Sequence, residues 1–150
     1  MASSSVRIIS EPAAPDWDAV ELSRTLGDRI TVTNGPGRER EFTDAILRQL
    51  RDDKLIAVVV PASHGGPGLG TADIARITYN ISRLSGCAGL IYAMHMSQAF
   101  SVIRHAPATP FFDGFIRRML SDQMLIGSGT SEVGVGGDIF GSICAVEDLG

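Results

Sequence analysis

The run Leu50-Arg-Asp-Asp-Lys-Leu-Ile-Ala-Val-Val-Val-Pro-Ala-Ser-His-Gly-Gly-Pro-Gly-Leu-Gly70 passes from a charged segment, through six consecutive apolar residues, into a glycine-rich loop. Leu55 to Val60 suits a short buried strand and equally a buried helical turn, and periodicity does not separate the two. Pro61 ends the run. The loop from His64 to Gly70 invites a rival interpretation, because strand, glycine loop and helix is also the order in which a dinucleotide or phosphate site is built. The spacing argues against it: Gly66-Pro67-Gly68-Leu69-Gly70 is not Gly-x-Gly-x-x-Gly, no Gly-Lys-Ser/Thr follows, and no second βαβ unit lies downstream. A turn before a helix capped by Thr71, with Asp73 in its first turn, is the simpler expectation.

Upstream of this run, Pro12 and Pro15 keep the chain extended until Asp16, which can cap a helix carrying Leu22, Leu26 and Ile30 at four-residue spacing, widened by Trp17 and Val20. The breaker cluster Asn34-Gly35-Pro36-Gly37 separates it from a second helix, opened by the solvated charges Arg38 to Glu41 and carrying Phe42, Ile46, Leu47 and Leu50 on one side. Downstream, Ile74, Ile77, Ile81 and Leu84 mark a helix stopped by Ser85-Gly86. Another runs from Cys87 to about His105, before Pro107. Thr109-Pro110 is an N-cap and first-turn pair for a last short helix, with Phe111, Phe112, Phe115, Met119 and Leu120 as its core side and Asp113, Arg117 and Arg118 outward.

Between Leu55 and Ile103 only Asp73, Arg76 and Arg83 carry charge, so these helices are apolar on more than one face and need covering by another domain or subunit. A membrane span is excluded: Cys87 to Ile103 is too short for one and contains His95, Ser97, Gln98 and Ser101. His95 and Gln98, three apart, share a helix face and can line a pocket over a ligand. The competing expectation is a hydrogen-bonded core or interface histidine. His64, His95 and His105 lack metal-ligand spacing, so no metal site is expected.

A net charge of −4 and a pI near 5.3, with Lys54 the sole lysine, leave no basic footprint for nucleic acid. Cys87 and Cys144 form no Cys-x-x-Cys pair and no secretory leader precedes them, which points to reduced thiols in the cytoplasm, Cys87 packing as a small apolar residue. With 150 residues the chain can bury about two thirds of its unfolded surface, enough for one domain and a remnant.

The second decisive run, Leu125-Ile-Gly-Ser-Gly-Thr-Ser-Glu-Val-Gly-Val-Gly-Gly-Asp138, opens from a short apolar strand into hydroxyls and glycines. Glycine lets backbone amides approach a ligand closely, and Ser128, Thr130 and Ser131 add rotatable hydroxyls. Such a surface suits a flat, uncharged polar edge such as that of a flavin ring. Ser131 to Asp138 resembles the Thr-Glu-Pro-x-Ala-Gly-Ser-Asp segment of acyl-CoA dehydrogenases. Leu50 to Gly70 resembles that family's Leu-x-x-x-Gly-Leu…Val-Pro-x-x-x-Gly-Gly-x-Gly-Leu signature, in the same order and spacing. The resemblance covers about residues 38 to 148.

The opening residues lack a basic n-region and a long apolar stretch, so 1–15 is expected to be a disordered start and not a targeting peptide. The resemblance implies a mainly α fold: a helical N-terminal domain over 16–122, and over 123–150 the first one or two strands of an incomplete middle β-domain. Ile139 to Val146 would be the second strand, and the chain would end inside a sheet that something else completes. It also implies FAD as cofactor, an acyl-CoA-like thioester as substrate and a homo-oligomer when complete. Carried over residue by residue, Ser128, Gly129, Thr130 and Ser131 would meet the flavin, while Gly137 stands where a serine usually contacts the thioester ligand, with His95 a further candidate on the substrate side. The family's carboxylate base lies in a C-terminal bundle, so no catalytic residue is assigned. Val133 for the motif Pro and Gly137 for Ser depart from the pattern. They raise two alternatives, a flavin-dependent monooxygenase of the same fold and a non-enzymatic helical module.

Overall fold

A computed structural model describes residues 18–129. Five α-helices follow one another: α1 (Ala19–Arg24), α2 (Glu39–Asp52), α3 (Thr71–Leu84), α4 (Gly86–His105) and α5 (Pro110–Ser121), with 3-10 turns at Leu26–Arg29 and Ala62–His64. No strand occurs among the described residues. The apolar repeats seen in the sequence are the buried faces: Phe42, Ile46 and Leu50 on α2, and Ile74, Ile77 and Ile81 on α3. The helices α3 and α4, joined only by Ser85, share the most extensive contact; α1 lies against α3 and α2 against α4. Close approach near the joint requires Gly89, where an added Cβ would stand 2.9 Å from the Ser82 Cα and closer still to its hydroxyl. Two polar ties fasten the outer helices: Asn80 Nδ2 donates to Ser23 Oγ at 2.9 Å, and Thr43 Oγ1 and Ser85 Oγ share a hydrogen bond of 3.1 Å.

Several expectations are corrected. The first helix is capped by Asp18, whose carboxylate accepts from the amides of Val20 and Glu21; Asp16 and Trp17 lie outside the described residues. Nor do Leu22, Leu26 and Ile30 share one helix, because the chain tightens into the 3-10 turn after Thr25. Arg29 holds that turn, donating to the carbonyls of Thr25 and Leu22 and pairing with Asp53 at 2.7 Å. The N-cap of α3 is Gly70 without a side-chain cap, and Thr71 is the first helical residue. Ser85 instead caps α4, accepting from the Ala88 amide, while Thr109 caps α5 as expected. Cys87 is exposed and does not pack as a core residue. The aromatic cluster of α5 is also not its core: Phe111 is 72% exposed, and Ile116 and Met119 fill the interior.

Leu55 to Val60 is neither strand nor helical turn. All six residues are buried in an irregular segment, whose backbone is satisfied by partners outside any ladder. The Leu55 amide donates to Leu50 O at 2.8 Å while Lys54 adopts φ 58°, and Lys54 N–H donates to Arg51 O, which together form a Schellman end to α2. The glycine loop folds back over the same segment: Gly68 N–H donates to Val60 O and Leu69 N–H to Val58 O, each at 2.8 Å. A Cβ at Gly66 would lie 2.1 Å from Val60 O, so only glycine fits there. With the amides of Gly65 and Gly66 also donating inward, to Ala62 O and Pro61 O, the loop has no free cradle for a phosphate.

Candidate functional site

Three side chains converge on the buried segment and make it the hub of the molecule. Tyr92 Oη donates to Leu55 O at 2.9 Å, and His95 Nε2 donates to Ile56 O at 2.8 Å. Gln123 Oε1 accepts from the amides of Ile56 and Ala57 at 3.2 and 3.3 Å, while its Nε2 donates to Leu120 O at 2.8 Å. Gln123 can do this because it ends α5 in a left-handed conformation, φ 47°, with Met124 N–H donating back to Met119 O at 3.2 Å. Burial acts on the ionisable members in opposite senses, since it always disfavours charge. It pushes the Tyr92 phenol upward, and it holds the His95 ring below the ordinary histidine range, against the opposing effect of the Ile56 carbonyl.

His95 also reaches the second decisive run. Its Nδ1 accepts from the Ile126 amide at 3.0 Å, and one helical turn later Gln98 Nε2 donates to Ser128 Oγ at 3.3 Å. Ser128 and Gly129 are exposed beside α4, and nothing stands within 4 Å of a Cβ built at Gly127 or Gly129. Alongside them, the outer face of α4 exposes Leu90, Ile91 and Met94, of which Leu90 is 65% exposed. Among the described residues, the arrangement is a hydroxyl and glycine run with open space around its glycines, against a helix whose preceding turns carry an apolar face without a partner. Thr130, Ser131 and Gly137 lie outside the described residues, as does the expected strand Ile139 to Val146.

His95 therefore sits inside the wall of this site, with both ring nitrogens engaged by backbone. Sequence reasoning missed Tyr92 and Gln123. Tyr92 had a signal, a hydroxyl three residues before His95 on the same apolar helix face. Gln123 had none, because its role depends on a left-handed residue at a helix end where glycine is usual.

A cavity of about 430 Å³ lies between the glycine loop and the α4–α5 joint, lined in part by His64, Ile103, Pro107, Phe112 and Asp113. Its polar groups satisfy one another. Ser63 Oγ and His64 Nδ1 are 3.1 Å apart, His64 Nε2 lies 3.1 Å from Asp113 Oδ1, and Arg117 Nε donates to Asp113 at 2.9 Å. The Arg117 hydrogen bond is the main cause holding the Asp113 carboxyl below the usual range. A serine, histidine and aspartate in line suggest nucleophilic chemistry, but the neighbouring Gly65 and Gly66 amides already donate to backbone carbonyls and leave no oxyanion hole. Among the described residues no group of three or more His, Cys, Asp or Glu is placed to hold a metal, and no helix is long and apolar enough to cross a membrane.

The helical fold and the glycine-loop signature define a class, and the chain belongs to it: residues 29–109, more than half of the chain, match the family described as acyl-CoA dehydrogenase, N-terminal domain. Among individual proteins, it is 27% identical over 101 residues to the mitochondrial isovaleryl-CoA dehydrogenase of Bos taurus, covering 67% of this chain and 22% of the relative. To the isovaleryl-CoA dehydrogenase of Pongo abelii it is 24% identical over 104 residues, covering 68% of this chain and 25% of the relative. The chain thus spans a quarter or less of the length of these curated relatives. No solved structure gives a significant match.

Proposed function

We propose that the chain forms one wall of the flavin and substrate site of an FAD-dependent oxidoreductase that acts on the CH–CH bond of an acyl thioester. The observation that carries this is the Gln98–Ser128 contact, which holds the start of the hydroxyl and glycine run against α4. The donor chemistry fits the cofactor: rotatable hydroxyls and backbone amides without a fixed charge match the uncharged polar edge of a flavin ring. On this proposal Ser128, Gly129, Thr130 and Ser131 would hold the ring of FAD, which would supply the hydride-accepting chemistry, and residues from 123 onward would begin a β-domain. The exposed Leu90, Ile91 and Met94 offer the apolar surface for an acyl chain or for the domain that closes over it. Gly137 would stand at the thioester side with its backbone alone, without the hydroxyl that the resembling segment supplies. His95 supports this wall from within. The similarity to isovaleryl-CoA dehydrogenases supports a thioester substrate.

Titration of the purified chain with FAD tests the proposal. Saturable binding with Kd above about 1 μM is expected, since a single wall cannot reach the roughly −8 kcal/mol of a nearly complete pocket. Ser131→Ala should weaken it by about 0.5–1.5 kcal/mol, the net value of one hydrogen bond, and Ser131→Thr should retain it. No saturable binding, or binding indifferent to both substitutions, would overturn the assignment. A monooxygenase would instead show fast reaction of its reduced flavin with oxygen.

A further inference from the structure

We propose that His95 is a positioning residue, the pin that sets the register of the 124–129 segment on α4, and that it does so as the neutral ring with its proton on Nε2. The two contacts leave no other protonation state. The Ile56 carbonyl can only accept, so Nε2 must carry the hydrogen; the Ile126 amide can only donate, so Nδ1 must present a bare lone pair. An imidazolium, or the tautomer with its proton on Nδ1, keeps at most one of the two.

The pin matters because, among the described residues, it is the one side-chain hydrogen bond to the backbone of residues 124–127, a stretch whose Met124, Leu125 and Ile126 side chains also pack against the core. Upstream, Met124 N–H donates to Met119 O and Gln123 is held by the hub. Downstream, the next anchor is the exposed and longer Gln98–Ser128 contact. His95 lies between them at 1% exposure, so its side of the bond is shielded from water, while the Ile126 amide is partly buried. Two chain residues reach at most about 7 Å, enough to match the roughly 4.5 Å rise from His95 to Gln98. Fixing Ile126 against His95 therefore brings Ser128 to Gln98. One ring joins the hub segment, α4 and the start of the hydroxyl run. The consequence for flavin contact rests on the function proposed above; the pinning does not.

Two amides separate the ring's two contacts. Asparagine places an acceptor near the Nδ1 position without a donor at Nε2, and glutamine places a donor near Nε2 without the acceptor. Hydrogen exchange at the Ile126 amide of the whole chain should therefore stay within about threefold of wild type in His95→Asn and accelerate about tenfold in His95→Gln, the loss of one net hydrogen bond. Nitrogen NMR of the unsubstituted chain should show Nε2 protonated and Nδ1 not, a readout that does not depend on whether either variant folds. A proton on Nδ1, or equal exchange at Ile126 in the two variants, would overturn the pin. Faster exchange in His95→Gln with an unchanged FAD titration would leave the pin standing and count against the flavin site alone.

Discussion

At the scale of single residues, His95 links the fold to pH. Its neutral ring is buried and held by two backbone groups, and burial lowers its pKa in the folded chain. The unfolded chain binds the proton first as pH falls, near the ordinary histidine value of about 6.5. The contribution to stability is complete above that value and declines as pH falls below it, by up to about 1.4 kcal/mol per pH unit, until the folded ring also titrates. Denaturant midpoints measured from neutral to mildly acidic pH should therefore drop more steeply in wild type than in His95→Asn. Parallel curves would show that the ring titrates alike in both states.

At the scale of elements, the helix ends decide the layout. Both α2 and α5 finish on a left-handed residue that is not glycine, Lys54 at φ 58° and Gln123 at φ 47°. The two are not equivalent. Gln123 is buried and uses its amide to satisfy Ile56, Ala57 and Leu120, so its backbone strain is offset by three hydrogen bonds. Lys54 is exposed and forms no side-chain hydrogen bond or ion pair among the described residues, and it stands where the resembling signature has glycine. Lys54→Gly should raise unfolding free energy by about 0.5–1 kcal/mol, as relief of the left-handed strain exceeds the added freedom of the unfolded chain. Gln123→Gly should relieve the same strain and still destabilise, because it strands buried amides. Chemical denaturation of the two variants checks the contrast. A loss of stability in Lys54→Gly would mean that its side chain contributes something the fold does not reveal.

At the scale of the whole molecule, the outer face of α4 is without a partner among the described residues. Leu90, Ile91 and Met94 are exposed at 65%, 39% and 45% on a helix whose other side is core. Burying even a few hundred Å² of such surface, at about 25 cal/mol per Å², is worth several kcal/mol before the costs of association. The chain alone should self-associate as its concentration rises, in sedimentation and with binding of a dye that reports apolar surface. Leu90→Glu with Met94→Glu should suppress association without unfolding, since neither side chain is buried. A compact, dye-silent monomer throughout would mean that the face is tolerated in water and would favour an independent helical module.

Sequence alone determined the helical class, the family resemblance and the buried faces, because helices leave a local periodic record in Phe42, Ile46 and Leu50 and again in Ile74, Ile77 and Ile81. It also identified the stops at Ser85 and Pro107 and the cap at Thr109, but not the early end of the first helix at Arg24. Only the tertiary structure decided the state of Leu55 to Val60. Their apolar run recorded burial but not the partners of their backbone, which come from Tyr92, His95 and Gln123, distant in sequence, and from the glycine loop that folds back over the segment. The same holds for His95: its place on α4 was legible, but its role was set by two carbonyl and amide groups, of Ile56 and Ile126, which lie 39 and 31 residues away. A local pattern specifies an element because the forces that form it act between near neighbours. Backbone groups left outside helices must find partners wherever the packed chain brings them, and that is a property of the tertiary fold.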